Sequence, residues 1–265
     1  MVANSAISWT DHTWNPWIGC TKVSPACDHC YAEAWAKRYG RAEWGDHPRQ
    51  RTSANTWRQP HKWNRETPGA FVFCASLADI FDNQVDPQWR ADAFDVMRAT
   101  PRLTYLLLTK RPGNIEKLAA AAGGMPANAL PGCTVVTQEE ADRDLPKMQR
   151  PHFVSIEPML GPIRLHQHFH CAGCPECHSL GCGNPSLKWV ICGGESGPGA
   201  RPIDPQWVRA LRDQCRAADV PFHFKQWGGF TAKTGGKELD GREWCERPTV
   251  SPLSQGQQNE GAERE

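Results

Sequence analysis

No sign of charge dominates this 265-residue chain: 30 Lys and Arg face 29 Asp and Glu, a formal net charge of +1. That balance excludes a global field drawing the protein to DNA, a membrane surface or acidic partners, and leaves room only for a local basic groove. Long hydrophobic runs are lacking too; none approaches the roughly 18 residues that a membrane span needs. The opening MVANSAISWT has neither a basic segment nor an apolar one behind it, so a cytosolic protein without membrane engagement is expected.

Cysteine, by contrast, is plentiful, with twelve in the chain. In a reducing compartment that number points to metal or redox chemistry rather than a disulfide framework. The cysteines are also clustered. Cys20, Cys27 and Cys30 form one group and Cys171, Cys174, Cys177 and Cys182 a second, while Cys74, Cys133, Cys192, Cys215 and Cys245 are scattered and read as small buried hydrophobes.

Short apolar runs alternate with helical stretches, the pattern of βαβ units on a parallel sheet. Strands are expected at 71–75, 105–108, 133–136, 153–156, 189–192 and 222–224, with a weaker one at 6–9. Helices are expected at 27–39, 87–99, 113–122, 139–148 and 205–218; the last has Asp204 as N-cap, Pro205 in its first turn and Trp207, Val208, Leu211 and Cys215 at helical spacing. The segment 114–131 reads as helix and loop. The segment 165–186, with four His and four Cys, breaks the alternation as an inserted metal-binding loop, and 248–265 reads as a disordered tail beyond a domain covering 1–247.

Polar residues collect behind the strand candidates: Ser76 and Asp79, then Lys110 and Arg111, Thr137 and Gln138, Glu157, Glu195 and Ser196, and finally Lys225 and Gln226. The carboxyl ends of parallel strands form one face, so this series outlines one rim. Gly193 and Gly194 would let backbone approach a ligand there. Glu157 is placed for partial burial or for pairing with Lys110, Arg111 or Lys225, and the two cations at 110 and 111 suit a carboxylate or phosphate.

Three cysteines with no obvious fourth suggest a site with one open position. An open four-iron cluster, a zinc ion completed by His12, His29 or a distant residue, and three thiols without metal all satisfy the spacing, because Cys-x2-Cys is common to zinc and iron sites. The second group, Cys171-x2-Cys174-x2-Cys177-x4-Cys182, carries a complete ligand set for zinc or an iron–sulfur cluster. Twelve tryptophans read mainly as core, with Trp14 and Trp17 placed to shield a cluster or stack on a base. The stretch 49–65, in which Arg49, Arg51, Arg58, Lys62 and Arg65 interleave with Trp57 and Trp63, is the chain's best local nucleic-acid patch.

The ordered set WTDHTWNPWIGCTKVSPACDHCYAEAWAKR, CASLADIFD, LLLTKRPGNI, FVSIEPMLGP, WVICGGESGPGARPIDPQWVRALRDQC and FKQWGG resembles the phage-associated three-Cys-motif family over nearly the whole chain to about residue 248. That family is itself similar to radical S-adenosylmethionine (SAM) enzymes. The resemblance implies a partial (β/α) barrel of the radical SAM type, a [4Fe-4S] cluster on Cys20, Cys27 and Cys30, SAM on its open iron, and a reductant protein as electron donor. It further implies a SAM site among Ser76, Lys110, Glu157, Gly193, Gly194 and Glu195, and a nucleotide or nucleic acid as substrate. Two features depart from the radical SAM pattern: the first cysteine gap is six residues rather than three, and the aromatic Tyr31 follows the third cysteine instead of preceding it. The other class of function open to this sequence is a zinc-stabilised nucleic-acid or protein binding module without catalysis.

Overall fold

The computed structural model describes residues 5–148, 153–169, 187–231 and 234–249. Five apolar runs do become strands: β4 (Phe71–Cys74), β5 (Thr104–Thr109), β7 (Phe153–Ile156), β8 (Val190–Cys192) and β9 (Phe222–Phe224). They join β1 (His12–Thr13) and β6 (Ala129–Thr134) in one sheet of order β1-β4-β5-β6-β7-β8-β9. Every neighbouring pair in it is parallel, and the sheet curls into a half-barrel. Short antiparallel pairs add β2 (Trp17–Ile18) with β3 (Gln50–Arg51), and β10 (Glu238–Leu239) with β11 (Arg242–Glu243).

These strands read as unbroken apolar runs because both faces are buried. Side chains alternate between faces, so one parity of each strand faces the helices and the other faces the inside of the curl. Val72, Tyr105, Leu107, Val154, Val190 and Phe222 join the larger core with helix residues such as Phe94, Met97, Val208 and Leu211. Phe71, Phe73, Leu106, Phe153, Trp189 and Ile191 close on one another and on Trp9 inside the curl. A Cβ on Gly132 would stand 2.4 Å from the Phe153 ring, so the inner wall has no room for a side chain there.

The crossover helices are set by their caps. Asp86, Thr137 and Asp204 each accept a first-turn backbone N–H, opening helices Pro87–Arg98, Gln138–Asp144 and Pro205–Ala217; such a cap is worth about 1 kcal/mol. The helix expected at 113–122 is Ile115–Ala121 behind a 3-10 turn.

Several expectations are corrected. Residues 6–9 are turn, not strand: Thr10 N–H closes on Ile7 O at 3.2 Å, which tips Trp9 into the inner core. The strand expected at 133–136 starts earlier, at Ala129, inside the segment that read as helix and loop, and runs through Pro131 to Thr134. The helix expected at 27–39 begins only at Tyr31, because Cys30 is extended (φ −65°, ψ 116°) as its N-cap residue. A 13-residue helix, Ala54–Glu66, was not foreseen; it contains Pro60, a residue that normally breaks a helix interior. Cys245 is exposed, unlike Cys74, Cys133, Cys192 and Cys215, which are buried. Residues 170–186, with the second cysteine group, and 250–265 of the expected tail lie outside the described residues. Among the described residues no helix is long and apolar enough to cross a membrane.

Candidate functional site at the mouth of the half-barrel

Because all seven strands point the same way, Ser76, Lys110, Glu157, Gly193, Gly194 and Glu195 follow carboxyl ends on one rim, after β4, β5, β7 and β8. The turn after β4 supplies a hub. Asp79, 5% exposed, accepts hydrogen bonds from Thr109 Oγ1 (2.7 Å), the Lys110 backbone N–H (3.1 Å) and the Arg111 guanidinium (3.0 Å), which locks the end of β5. Arg111 continues to the cysteine loop, donating to Thr21 O at 2.7 Å and reaching Cys20 Sγ at 3.5 Å. Arg49 grips the same end of the loop: it is paired with Asp82 at 2.7 Å, both side chains 1% exposed, and donates to Thr21 Oγ1 at 2.8 Å. Burial, reinforced by the Asp79 carboxylate and opposed by Arg111, pushes the Cys20 thiol up to about 11.

The loop's other end is tied to β8. Ser24 caps a single 3-10 turn, Pro25–Cys27, that buries Cys27. Arg201 then makes a two-sided clamp: it donates to Asp28 Oδ2 (3.0 Å) and Pro25 O (2.9 Å) on the loop, and to Glu195 at 2.6 and 2.9 Å behind β8. His29 Nδ1 lies 3.0 Å from Glu195 Oε2. Burial alone would raise the Glu195 carboxyl, but the bonds from the Arg201 side chain and backbone N–H and from His29 outweigh it and hold it at about 2. Tyr31 adds a third tie, its hydroxyl donating to Ser76 O at 2.5 Å, while Asn15 Nδ2 donates to Ser76 Oγ at 3.1 Å. The segment 20–31 is thus fastened to the ends of β4, β5 and β8, across the mouth of the curl.

Between those fastenings a polar group faces inward. Glu157 receives Lys225 Nζ at 2.8 Å on one carboxylate oxygen and Ser155 Oγ at 2.9 Å on the other. A Cβ on Gly193 would lie 3.3 Å from both Glu157 Oε1 and Lys225 Cβ, so the pair spans β7 to β9 over the space that this glycine leaves. Lys110 Nζ makes no ion pair or hydrogen bond among the described residues, whereas every other rim cation named above is paired. Thr134 Oγ1, on the neighbouring strand and in register with Ser155, is buried without a partner.

The rim outlined by the sequence is therefore spatially continuous, but its members divide by task. Lys110, Glu157 and Lys225 line the mouth. Arg111 and Glu195 hold the cysteine loop instead, and their hydrogen-bonding capacity is largely taken up. Gly194 serves the scaffold: a Cβ there would lie 1.9 Å from Trp227 O, so only glycine lets the chain after β9 pass. Trp14 and Trp17 are fully buried, with no face open to a base. His12 is stacked on Trp63 (4.4 Å, 3°) and bonded to Thr67 at 2.8 Å. No group of three His, Cys, Asp or Glu side chains among the described residues converges on a point for one metal ion. Sequence reasoning missed Arg201, Asp28 and the Arg49–Asp82 pair, whose partners lie tens to hundreds of residues apart and carry no local signal.

No curated protein and no solved structure matches this chain. A family model does match, over residues 4–248: the chain belongs to the DUF5131 family, described as protein of unknown function.

Proposed function

We propose that this protein is an iron–sulfur enzyme of the radical SAM type, in which Cys20, Cys27 and Cys30 hold a [4Fe-4S] cluster at the mouth of the partial barrel. The observation that carries the reading is the position of the three-thiol loop, fastened to the ends of β5 and β8 over an inward-facing polar set. The donor set fits such a group. Thiolates are the soft ligands that iron–sulfur clusters take, and three of them leave one iron open. A cluster held by Cys20, Cys27 and Cys30 would supply an open iron for SAM and, with one electron from a reductant protein, the reductive cleavage of a SAM carbon–sulfur bond that starts radical chemistry.

The chain's own residues position the reactants. Arg111 and Arg49 fix the Cys20 end of the loop, and the Arg201–Glu195 clamp fixes the Cys27–Cys30 end. Lys110 and the Glu157–Lys225 pair then offer a free ammonium and a carboxylate to SAM or substrate, with Gly193 beside the pair and Ser76 on the same rim. A nucleotide or nucleic acid is the proposed substrate. Cys171, Cys174, Cys177 and Cys182 are proposed to hold a second metal, zinc or an iron–sulfur cluster.

The test is anoxic purification with reconstitution, comparing the wild type with the Cys20→Ala/Cys27→Ala/Cys30→Ala variant. Iron and acid-labile sulfide that the variant lacks, and 5′-deoxyadenosine formed from SAM with dithionite, are expected. Zinc alone at these cysteines, or a full cluster that never cleaves SAM with or without nucleic acid, overturns the reading.

A further inference from the structure

The stretch 49–65 contains two kinds of cation. Arg49 is consumed inside the protein by Asp82, Thr21 and the carbonyls of Gly45 and His47. Trp63 is likewise buried, against His12. Arg51 and Arg58 instead line an open cavity of about 440 Å³, with Thr52, Ala54 and Trp57 completing its wall.

The two arginines are presented differently. Arg51 sits over the Trp57 ring, its guanidinium carbon 4.1 Å from that ring's centroid and 5.9 Å from that of Trp89, and is held by Asp92 at 2.7 Å. Trp57 is braced edge-on by Trp14 at 5.6 Å. With 37% of its side chain still exposed, Arg51 is a planar guanidinium held in place and partly open to solvent. Arg58 is exposed and makes no ion pair or hydrogen bond among the described residues. Lys62 and Arg65 follow it at helical spacing, and the one acidic residue on that helix is Glu66, 3.8 Å from Lys62.

A planar cationic plate beside a row of cations matches one polymer best. Single-stranded nucleic acid offers an unpaired base to stack on guanidinium and a phosphate every nucleotide for the row. A free anion would use Arg58 and leave the plate idle. A duplex keeps its base faces stacked inside. We propose that the cavity formed by Arg51, Trp57 and Arg58 is a docking surface for single-stranded nucleic acid, with a base on Arg51 and the backbone running along Arg58, Lys62 and Arg65.

The position suits a substrate. Arg51 pairs in register with Trp17, three residues before Cys20, a distance of roughly 10 Å of extended chain. A strand held here is led toward the mouth. This link to the reaction rests on the proposed SAM chemistry; the docking surface itself does not.

The experiment is fluorescence anisotropy with 5′-labelled 12-nucleotide single-stranded DNA and RNA and a duplex of the same length, from 50 to 200 mM salt. The full-length wild type, Arg58→Ala, Arg51→Lys and the Cys20→Ala variant are compared, with circular dichroism confirming the fold. The wild type is expected to prefer a single strand. Arg58→Ala should weaken binding at every sequence and reduce the salt slope by about one. Arg51→Lys, which keeps the charge and removes the plane, should lose about fivefold or more. No single-strand binding at 50 mM salt, equal binding of the duplex, or wild-type binding by both arginine variants overturns the proposal. Cys20→Ala separates the two ideas: it should bind the oligonucleotide like the wild type. A protein that cleaves SAM but ignores oligonucleotides sinks the docking surface alone, and one that binds them but holds no iron sinks the enzyme alone.

Discussion

Acid should expose the cost of one buried imidazole. His223 lies on β9 inside the curl, fully buried, its ring edge-on to Trp189 at 6.3 Å and its Nε2 2.8 Å from Ser8 Oγ. Nδ1 has no hydrogen-bond partner, so protonation would bury a second N–H with nothing to accept it. Burial drives the ring's pKa down to about 4; Glu157 pulls it upward, while Arg247, Lys225 and Lys237 push it lower. Above pH 6.5 neither folded nor unfolded chain holds this proton and there is no penalty. Between 6.5 and 4 the unfolded chain takes it up and the folded one does not, so stability falls as pH falls. The loss from a group depressed from 6.5 to about 4 totals roughly 3 kcal/mol. Urea unfolding of wild type and His223→Gln at pH 7, 6, 5 and 4 isolates the group, because the other titrations are common to both proteins. The gap between the two curves should shift in favour of the variant by up to that amount, and imidazole NMR should show no His223 titration near 6.5. Parallel curves, or a normal titration, would refute the desolvation argument.

Three further outcomes follow from named contacts. Arg49→Met strands Asp82 in a site where both side chains are 1% exposed, and should cost about 3–5 kcal/mol in urea unfolding; a loss below ~1 kcal/mol would show that the pair is not buried as a unit. Gly194→Ala puts a Cβ 1.9 Å from Trp227 O, and should lower the melting temperature by an amount corresponding to ~1–3 kcal/mol or more, whereas Gly193→Ala, with its nearest contacts at 3.3 Å, should cost less. Glu195→Gln should be less stable than the wild type at neutral pH. Because the native carboxyl is held at about 2, that difference should persist above pH 4.5 and shrink as the pH falls toward 2, as followed by thermal unfolding.

How much of this was legible depends on whether the signal is local. The runs at 71–75, 153–156 and 222–224 announce strands because burial on both faces forces contiguous apolar residues. Asp204 announces a helix start because a cap acts within three residues. The errors have the same origin. Trp9 looked like the end of a strand because its hydrophobicity was read without the turn that redirects it. Pro131 and Pro60 ordinarily break a strand or a helix, but tertiary burial of the elements around them prevails over propensity.

The rim residues could be listed from sequence, since polar residues behind parallel strands share an edge, but their tasks could not. Whether Glu195 is available to a ligand or consumed by a clamp is decided by Arg201 and by His29, and the latter lies 166 positions away in the chain. Such pairs have no period to read. They are nevertheless what fixes the loop, because a buried guanidinium or carboxylate left unpaired costs several kcal/mol. Asp79, Asp82 and Glu195 must therefore be met by Arg111, Arg49 and Arg201, and meeting them draws segment 20–30 over the mouth before any ligand arrives. The same electrostatics accounts for the residues that stay free. Among the described residues, Lys110 at the mouth and Arg58 at the Arg51–Trp57 cavity are cations that folding leaves without an ion pair or hydrogen bond, and an anionic ligand would meet them there.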